Sequence, residues 1–409
     1  FIGTIETSGN YTGGLVGQMS VGTKIIASYA SATISTSGNQ LGGIVGKILN
    51  SPQDCELQNV YSSCILHGNF QYTGGIAGEN LDAGTVFSNC YFDQQLIDCK
   101  VTPNPDPHSM AAGTAMPTTA MTNGTWAPTG FTPAGSGQYP YITGFPISND
   151  AVLFSTVPIF LPVGTSLSDL SNVNTVTVGA VAGVTWTETE RVGIGSFVSP
   201  TLSVTGQSYV VLKATKGSDS RTYVLQFDKA PYLGTAENPF PINNQTDLTN
   251  FRDGINNGMS FAYKHYTIPV YGENTNFIQT ANIAMPSGNN ISNTESRAFK
   301  GTYDGGNHKI TSLTKDGFFG YTKNATVKNL TVERSSSTKA ALIYSMAGGT
   351  VDNCHSTGSV STTGGLIWET AVVSGTSSIL NSTNRNNCSG VSGECGGIVC
   401  QVGTSENYL

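Results

Sequence analysis

One short phrase returns along the chain at near-regular intervals. It reads Gly13-Gly14-Leu15-Val16-Gly17, Gly42-Gly43-Ile44-Val45-Gly46 and Gly74-Gly75-Ile76-Ala77-Gly78. Toward the other end it returns as Gly364-Gly365-Leu366-Ile367-Trp368 and Gly396-Gly397-Ile398-Val399-Cys400. Weaker copies are Gly317-Phe318-Phe319-Gly320 and Ala341-Leu342-Ile343-Tyr344. A second phrase alternates with it: Asn59-Val60-Tyr61, Asn89-Cys90-Tyr91, Asn353-Cys354-His355 and Asn381-Ser382-Thr383, with Ala27-Ser28-Tyr29 as a variant. Gly13 to Gly42 is 29 positions, and Gly42 to Gly74 and Gly364 to Gly396 are 32 each. Both phrases are strand-length apolar runs bounded by turn residues. A period of this size predicts one coil of a solenoid per copy, each burying its apolar face only against its neighbours. The paired glycines let the backbone turn where a Cβ would clash. Asn at one recurring position can hydrogen-bond its own copies up the stack. The expected fold is all-β: a parallel β-solenoid rising about 4.8 Å per coil.

Composition agrees. Charged residues are 11 % of the 409, and glycine supplies 49. Helical surfaces need charged helix formers, so a helical protein is excluded and short strands with many turns are favoured. The net charge is −7 with no Lys/Arg cluster, which argues against nucleic acid as a partner. No apolar run reaches the ~20 residues of a membrane span. The opening Phe1-Ile2-Gly3-Thr4-Ile5 does not read as a signal peptide.

The glycine phrases resemble the GLUG-motif repeats of bacterial surface proteins and adhesins. The stretch Phe299 to Ile310, with Phe318-Phe319-Gly320 and Ala325 to Leu330, is similar to the first coil of such proteins. Trp368 and Cys400 stand where that family has glycine. The resemblance implies solenoid coils in two sequence halves: later coils in 1–100 and first coils in 299–409. Residues 101–150 resemble the exit segment, with Tyr139-Pro140-Tyr141-Ile142, and 231–298 the entrance segment. In the latter, Leu248, Phe251 and Ile255 predict a short capping helix stopped by Gly258. Residues 151–230 carry several short strand-like runs and predict a small β-sandwich with Trp186 as its core aromatic. Tyr209–Thr215 with Thr222–Phe227 resembles the last hairpin of bacterial Ig-like or cadherin-like domains.

The order of segments is unusual, because the later coils precede the first ones. Placing Leu409 before Phe1 aligns Asn407-Tyr408-Leu409-Phe1-Ile2-Gly3-Thr4-Ile5 with Asn353 through Val360, with Gly3 matching Gly358. The interval from Asn407 to Gly13 is then 15, as it is from Asn59 to Gly74 and from Asn381 to Gly396. Either the chain is one period of a tandem array, or separate subunits stack head-to-tail. The expected joint is Asn407, Tyr408, Leu409, Phe1, Ile2, Gly3 and Ile5.

Few residues stand in patterns that carry chemistry. Glycoside hydrolysis needs two carboxylates across a cleft, and the best-placed acid, Asp304, sits in an Asp-Gly-Gly-Asn turn. No HExxH, Walker, dinucleotide or EF-hand motif is present. The five histidines, His67, His108, His265, His308 and His355, are scattered. No catalytic residue, metal or cofactor is expected. The eight cysteines, Cys55, Cys64, Cys90, Cys99, Cys354, Cys388, Cys395 and Cys400, form either disulfides of an oxidising compartment or buried thiols. For disulfides, Cys55–Cys64, Cys90–Cys99 and Cys388–Cys395 suit local closure, whereas Cys395 and Cys400 flank one strand and should not pair. Sequons stand at Asn10, Asn123, Asn244, Asn290, Asn324, Asn329, Asn381 and Asn387. Tyr29, Tyr61 and Tyr91 share one coil position. If outward they can stack on sugars, and if inward they are core. The expected function is a non-enzymatic extracellular or cell-surface structural or adhesive protein. Its partners would be further copies of itself, and glycans or proteins of a host or the environment. The alternative is a carbohydrate-binding or carbohydrate-active β-helix.

Overall fold

A computed structural model describes residues 1–50, 52–68, 72–99, 113–145, 159–335, 339–358, 365–371, 376–385 and 397–403. The protein is all-β, mostly strand with two α-helices among the described residues. It divides into two compact units, Phe1–Ala230 and Pro231–Leu409.

In the first unit, strands one repeat apart pair in parallel. Tyr11–Gly13, Gln40–Gly42 and Tyr72–Gly74 form one sheet. Val16–Met19, Val45–Ile48 and Ala77–Asn80 form the next. Ile2–Thr7 pairs with Tyr29–Thr36, which pairs onward with Ile65–Gly68, and Lys24–Ile26 pairs with Glu56–Ser62. The core lies between these sheets, where Ala30, Ile34, Leu41, Ile44, Val45, Leu57 and Val60 are fully buried.

The glycines explain how the chain turns between sheets. A Cβ on Gly42 would lie 1.9 Å from the Val45 carbonyl oxygen, and one on Gly43 would lie 2.1 Å from that of Gly75. Neither position tolerates any side chain. At the second phrase the constraint is conformational. Asn59, Asn89, Asn329, Asn353 and Asn381 all have φ between 48° and 52°, as Ala27 nearly does at 46°. Asn enters this left-handed region more readily than other non-glycine residues.

Residues 159–230 form two antiparallel sheets over one core. One holds Ile159–Phe160, Thr175–Val178, Thr201–Val204 and Gly195–Val198, and the other Thr185–Val192, Ser208–Lys216 and Asp219–Phe227. The buried aromatics of this core are Tyr223 and Phe227, while Trp186 packs against it only partly buried. Trp186 stays at the rim because its indole N–H donates to the Gly179 carbonyl, 3.2 Å away.

The second unit stacks Thr302–Leu313, Phe319–Arg334 and Ile343–Thr357 in parallel, followed by Ile367–Thr370 and Val399–Val402. Its first strand, Phe240–Ile242, is followed by the helix Gln245–Asn257, capped by the Asn244 side chain and ended by Gly258 at φ 72°. Leu248, Phe251 and Ile255 are fully buried. Phe251 packs on Phe277 and Phe299, at 4.6 and 5.7 Å between ring centroids. No helix is long and apolar enough to cross a membrane among the described residues.

Candidate functional site

The asparagines form ladders. Asn89 Nδ2 donates to Asn59 Oδ1 at 3.0 Å, and Asn353 Nδ2 to Asn329 Oδ1 at 2.9 Å. Asn329 Nδ2 in turn donates to Asp304 Oδ1, 3.0 Å away. Asp304 also accepts from the Gly306 N–H and lies 3.3 Å from Lys328 Nζ. Its carboxylate is thereby part of the ladder. Both ring nitrogens of His355 are engaged, one with Thr383 Oγ1 and one with Asn353 Oδ1. His67 pairs with Asp98 at 2.7 Å. That hydrogen bond raises the His67 pKa, and burial raises that of Asp98. No group of three His, Cys, Asp or Glu is placed to hold a metal among the described residues. His108 lies outside them.

Tyr29, Tyr61 and Tyr91 stand in register. Tyr29 stacks on Tyr61 at 5.1 Å. The column is not a free platform. Phe131 packs edge-on against Tyr29 and Tyr61, Trp126 meets Tyr61 and Tyr91, and the Tyr61 hydroxyl donates to the Pro140 carbonyl. The segment 113–145 is therefore a lid on the column.

Gln95 fastens the same end of the first unit. Its side chain donates to the carbonyls of Leu161, Pro162 and Thr165 and accepts from the Thr118 N–H. Beside it, buried Asp93 accepts from Gln95 N–H and from the Tyr139 hydroxyl, and burial raises its pKa. Neither residue stands out in the sequence, because their partners lie in other segments. A cleft of about 450 Å³ opens between the lid and the antiparallel sheets, lined by Thr119, Thr122, Asn123, Ser136, Gln138 and Phe160 among others. Among the described residues, its lining holds no charged side chain.

The expected disulfides Cys55–Cys64 and Cys90–Cys99 are not formed: Cys55, Cys64 and Cys90 are free thiols, as is Cys354. The reason is direction. Sγ of Cys64, Cys90 and Cys354 turns inward to the carbonyls of Gly43, Leu57 and Val327. Burial pushes the Cys90 thiol up to about 11 and that of Cys354 up to about 12. Cys388, Cys395 and the side chain of Cys99 lie outside the described residues.

Among the sequons, Asn10, Asn123, Asn244, Asn324 and Asn381 are exposed. The amide nitrogens of Asn290, Asn329 and Asn381 are committed to Asp316, Asp304 and Asp352. Asn387 lies outside the described residues.

Among the described residues, each unit ends in strands that have a neighbour on one side. Each of Ile2–Thr7, Tyr11–Gly13, Val16–Met19 and Lys24–Ile26 pairs on one side only. Leu15 and Val16 are half-buried, whereas the equivalent Ile44 and Val45 are fully buried. Among the described strands, Val399–Val402 pairs with Ile367–Thr370. Val402 is 76 % exposed where its counterpart Met346 is 1 % exposed. Of the expected joint, Ile2 and Ile5 are half-buried in the first open strand and Phe1 is exposed beside it. Gly3 has φ 150°, close to the 146° of its counterpart Gly358. Asn407, Tyr408 and Leu409 lie outside the described residues. Compared with protein-family models, curated proteins and solved structures, the chain matches none.

Proposed function

We propose that the parallel layers are coils of a β-solenoid of GLUG-like repeats, joined in sequence through an Ig-like sandwich. On this reading the chain is a non-enzymatic structural or adhesive element outside the cell, and it associates with further copies of itself. The observation that carries the proposal is the asymmetry of each stack. One end is buried, under Gln95 and the lid in the first unit and under the helix Gln245–Asn257 in the second. The other end, among the described residues, is a parallel strand edge with a neighbour on one side. Natural sheets usually cover or charge such edges because they recruit other strands. Here the edge carries Tyr11 and Ile26, 44 % and 47 % exposed. Negative-stain electron microscopy of the purified chain over a concentration series tests the proposal. Filaments or linear oligomers are expected; a monomer at all concentrations contradicts self-association.

A second reading rests on the uncharged cleft. Hydroxyl and amide groups beside Phe160 suit a neutral sugar, which is bound by hydrogen bonds and ring contact. Glycan-array binding lost in Gln138→Ala would support it.

A further inference from the structure

Trp186 is held at the rim of the sandwich from two sides. Its indole N–H donates to the Gly179 carbonyl at 3.2 Å, and its ring meets that of Tyr223, 6.0 Å between centroids. The partly buried ring also lines a second cavity of about 410 Å³, with Val184, Ser199 and Pro200. That cavity and the uncharged cleft of about 450 Å³ share Gly179, Ala180, Val181 and Ala182. They therefore adjoin along one loop of small side chains. A turn closed by the Val184 N–H on the Val181 carbonyl shapes that loop. The two cavities differ in chemistry. The cleft offers the hydroxyls of Thr119 and Ser136 and the Gln138 amide. Asn123 Oδ1 already accepts from the N–H groups of Thr125 and Trp126, so its Nδ2 is the group it offers there. The second cavity offers mainly aliphatic groups and an indole whose N–H is already satisfied. Among the described residues, neither lining holds a charged side chain.

Resting on the neutral-sugar reading of the cleft, we infer that the two cavities are adjacent subsites for one uncharged oligosaccharide, with Trp186 as its stacking platform. A sugar ring has hydroxyl edges and a C–H face, and the two linings match one each. One residue of the bound chain sets its hydroxyls among Thr119, Asn123, Ser136 and Gln138. Its neighbour lays its C–H face on the indole. Gly179 and Tyr223 already fix that ring, so little side-chain freedom is lost on binding. The linkage between the two sugars crosses Gly179 to Ala182, where no side chain is larger than valine. A carboxylate or sulfate on the chain would be desolvated without meeting a cation, which selects a neutral ligand. A platform must stay accessible, which accounts for a tryptophan at the rim rather than in the core.

Isothermal titration calorimetry of the full chain tests this. The probes are α- and β-1,4-linked tetrasaccharides of glucose, mannose and galactose, beside the free hexoses. A tetrasaccharide should bind about tenfold or more tighter than its own hexose. Trp186→Ala should weaken that tetrasaccharide about tenfold, the scale of one aromatic contact, and leave the hexose unchanged. Trp186→Phe keeps a ring on the platform and should restore most of the affinity. Trp186→Ala also touches the sandwich core, so Ala182→Arg serves as a second variant. Ala182 is exposed and lines both cavities, so a long side chain there should remove the tetrasaccharide's advantage in a folded protein. A tetrasaccharide that binds no more tightly than its hexose, or equally in the wild type and Ala182→Arg, overturns the extended site and leaves the cleft reading standing. Tetragalacturonate bound as tightly as the neutral chains overturns the ligand class. Binding of none of these sugars overturns both the extended site and the cleft reading.

Discussion

Asn329 sits mid-ladder, and its replacement separates two contributions. Its side chain donates to Asp304 and accepts from Asn353, at 3.0 and 2.9 Å. Its backbone holds φ at 52°. Asn329→Ala loses both hydrogen bonds, each worth about 1 kcal/mol net, and places alanine in a region costing it roughly 1–2 kcal/mol. The expected destabilisation is about 3 kcal/mol. Asn329→Gly loses the same bonds without the strain, for about 2 kcal/mol. Amide hydrogen exchange by mass spectrometry in Phe319–Arg334 and Ile343–Thr357 reads local stability in the second unit. Protection should fall roughly a hundredfold in the alanine variant and several-fold less in glycine, at about 1.4 kcal/mol per tenfold. Equal losses in the two variants would refute the conformational role of asparagine. No loss in either would refute the ladder.

The converse change, Ala27→Asn, puts the favoured residue at the variant position and should raise the melting temperature, by about 1 kcal/mol of stability. Gly43→Ala forces a Cβ to 2.1 Å from the Gly75 oxygen and should leave the first unit protease-sensitive; normal resistance would show that the turn can relax. Asp93 has a folded pKa above its unfolded value because it is buried. The folded state therefore binds its proton more tightly, and stability falls as pH rises from about 4 through the folded pKa. In thermal melts Asp93→Asn should lessen that slope, and an unchanged slope would count against the assignment. Cys55, Cys64, Cys90 and Cys354 should resist a thiol reagent in the folded chain and react after denaturation; thiols released only by a reductant would contradict the free, buried state.

Spacing alone makes the layers legible. Intervals of 29 and 32 residues reappear as Tyr11 beside Gln40 beside Tyr72, because a repeat that buries its face only against neighbours must keep its register. The capping helix is legible for a similar reason, since Leu248, Phe251, Ile255 and Gly258 are local signals. Contacts made across long sequence separations are not. Gln95 gains its role only when Leu161, Pro162 and Thr165 fold over it. The tyrosine column becomes core only because 113–145 returns as a lid. Cysteine spacing misleads about pairing, since a spacing of nine is silent on whether two Sγ atoms face inward. Trp186 misleads because size suggests a core position, while its N–H holds it at the rim.

Cryo-electron microscopy of wild-type assemblies tests the central claim most directly. Self-association through the parallel sheets predicts an uninterrupted parallel ladder with strands about 4.8 Å apart, crossing each joint between copies. Joints formed through the antiparallel sheets of residues 159–230, or a gap in the ladder between copies, would contradict it.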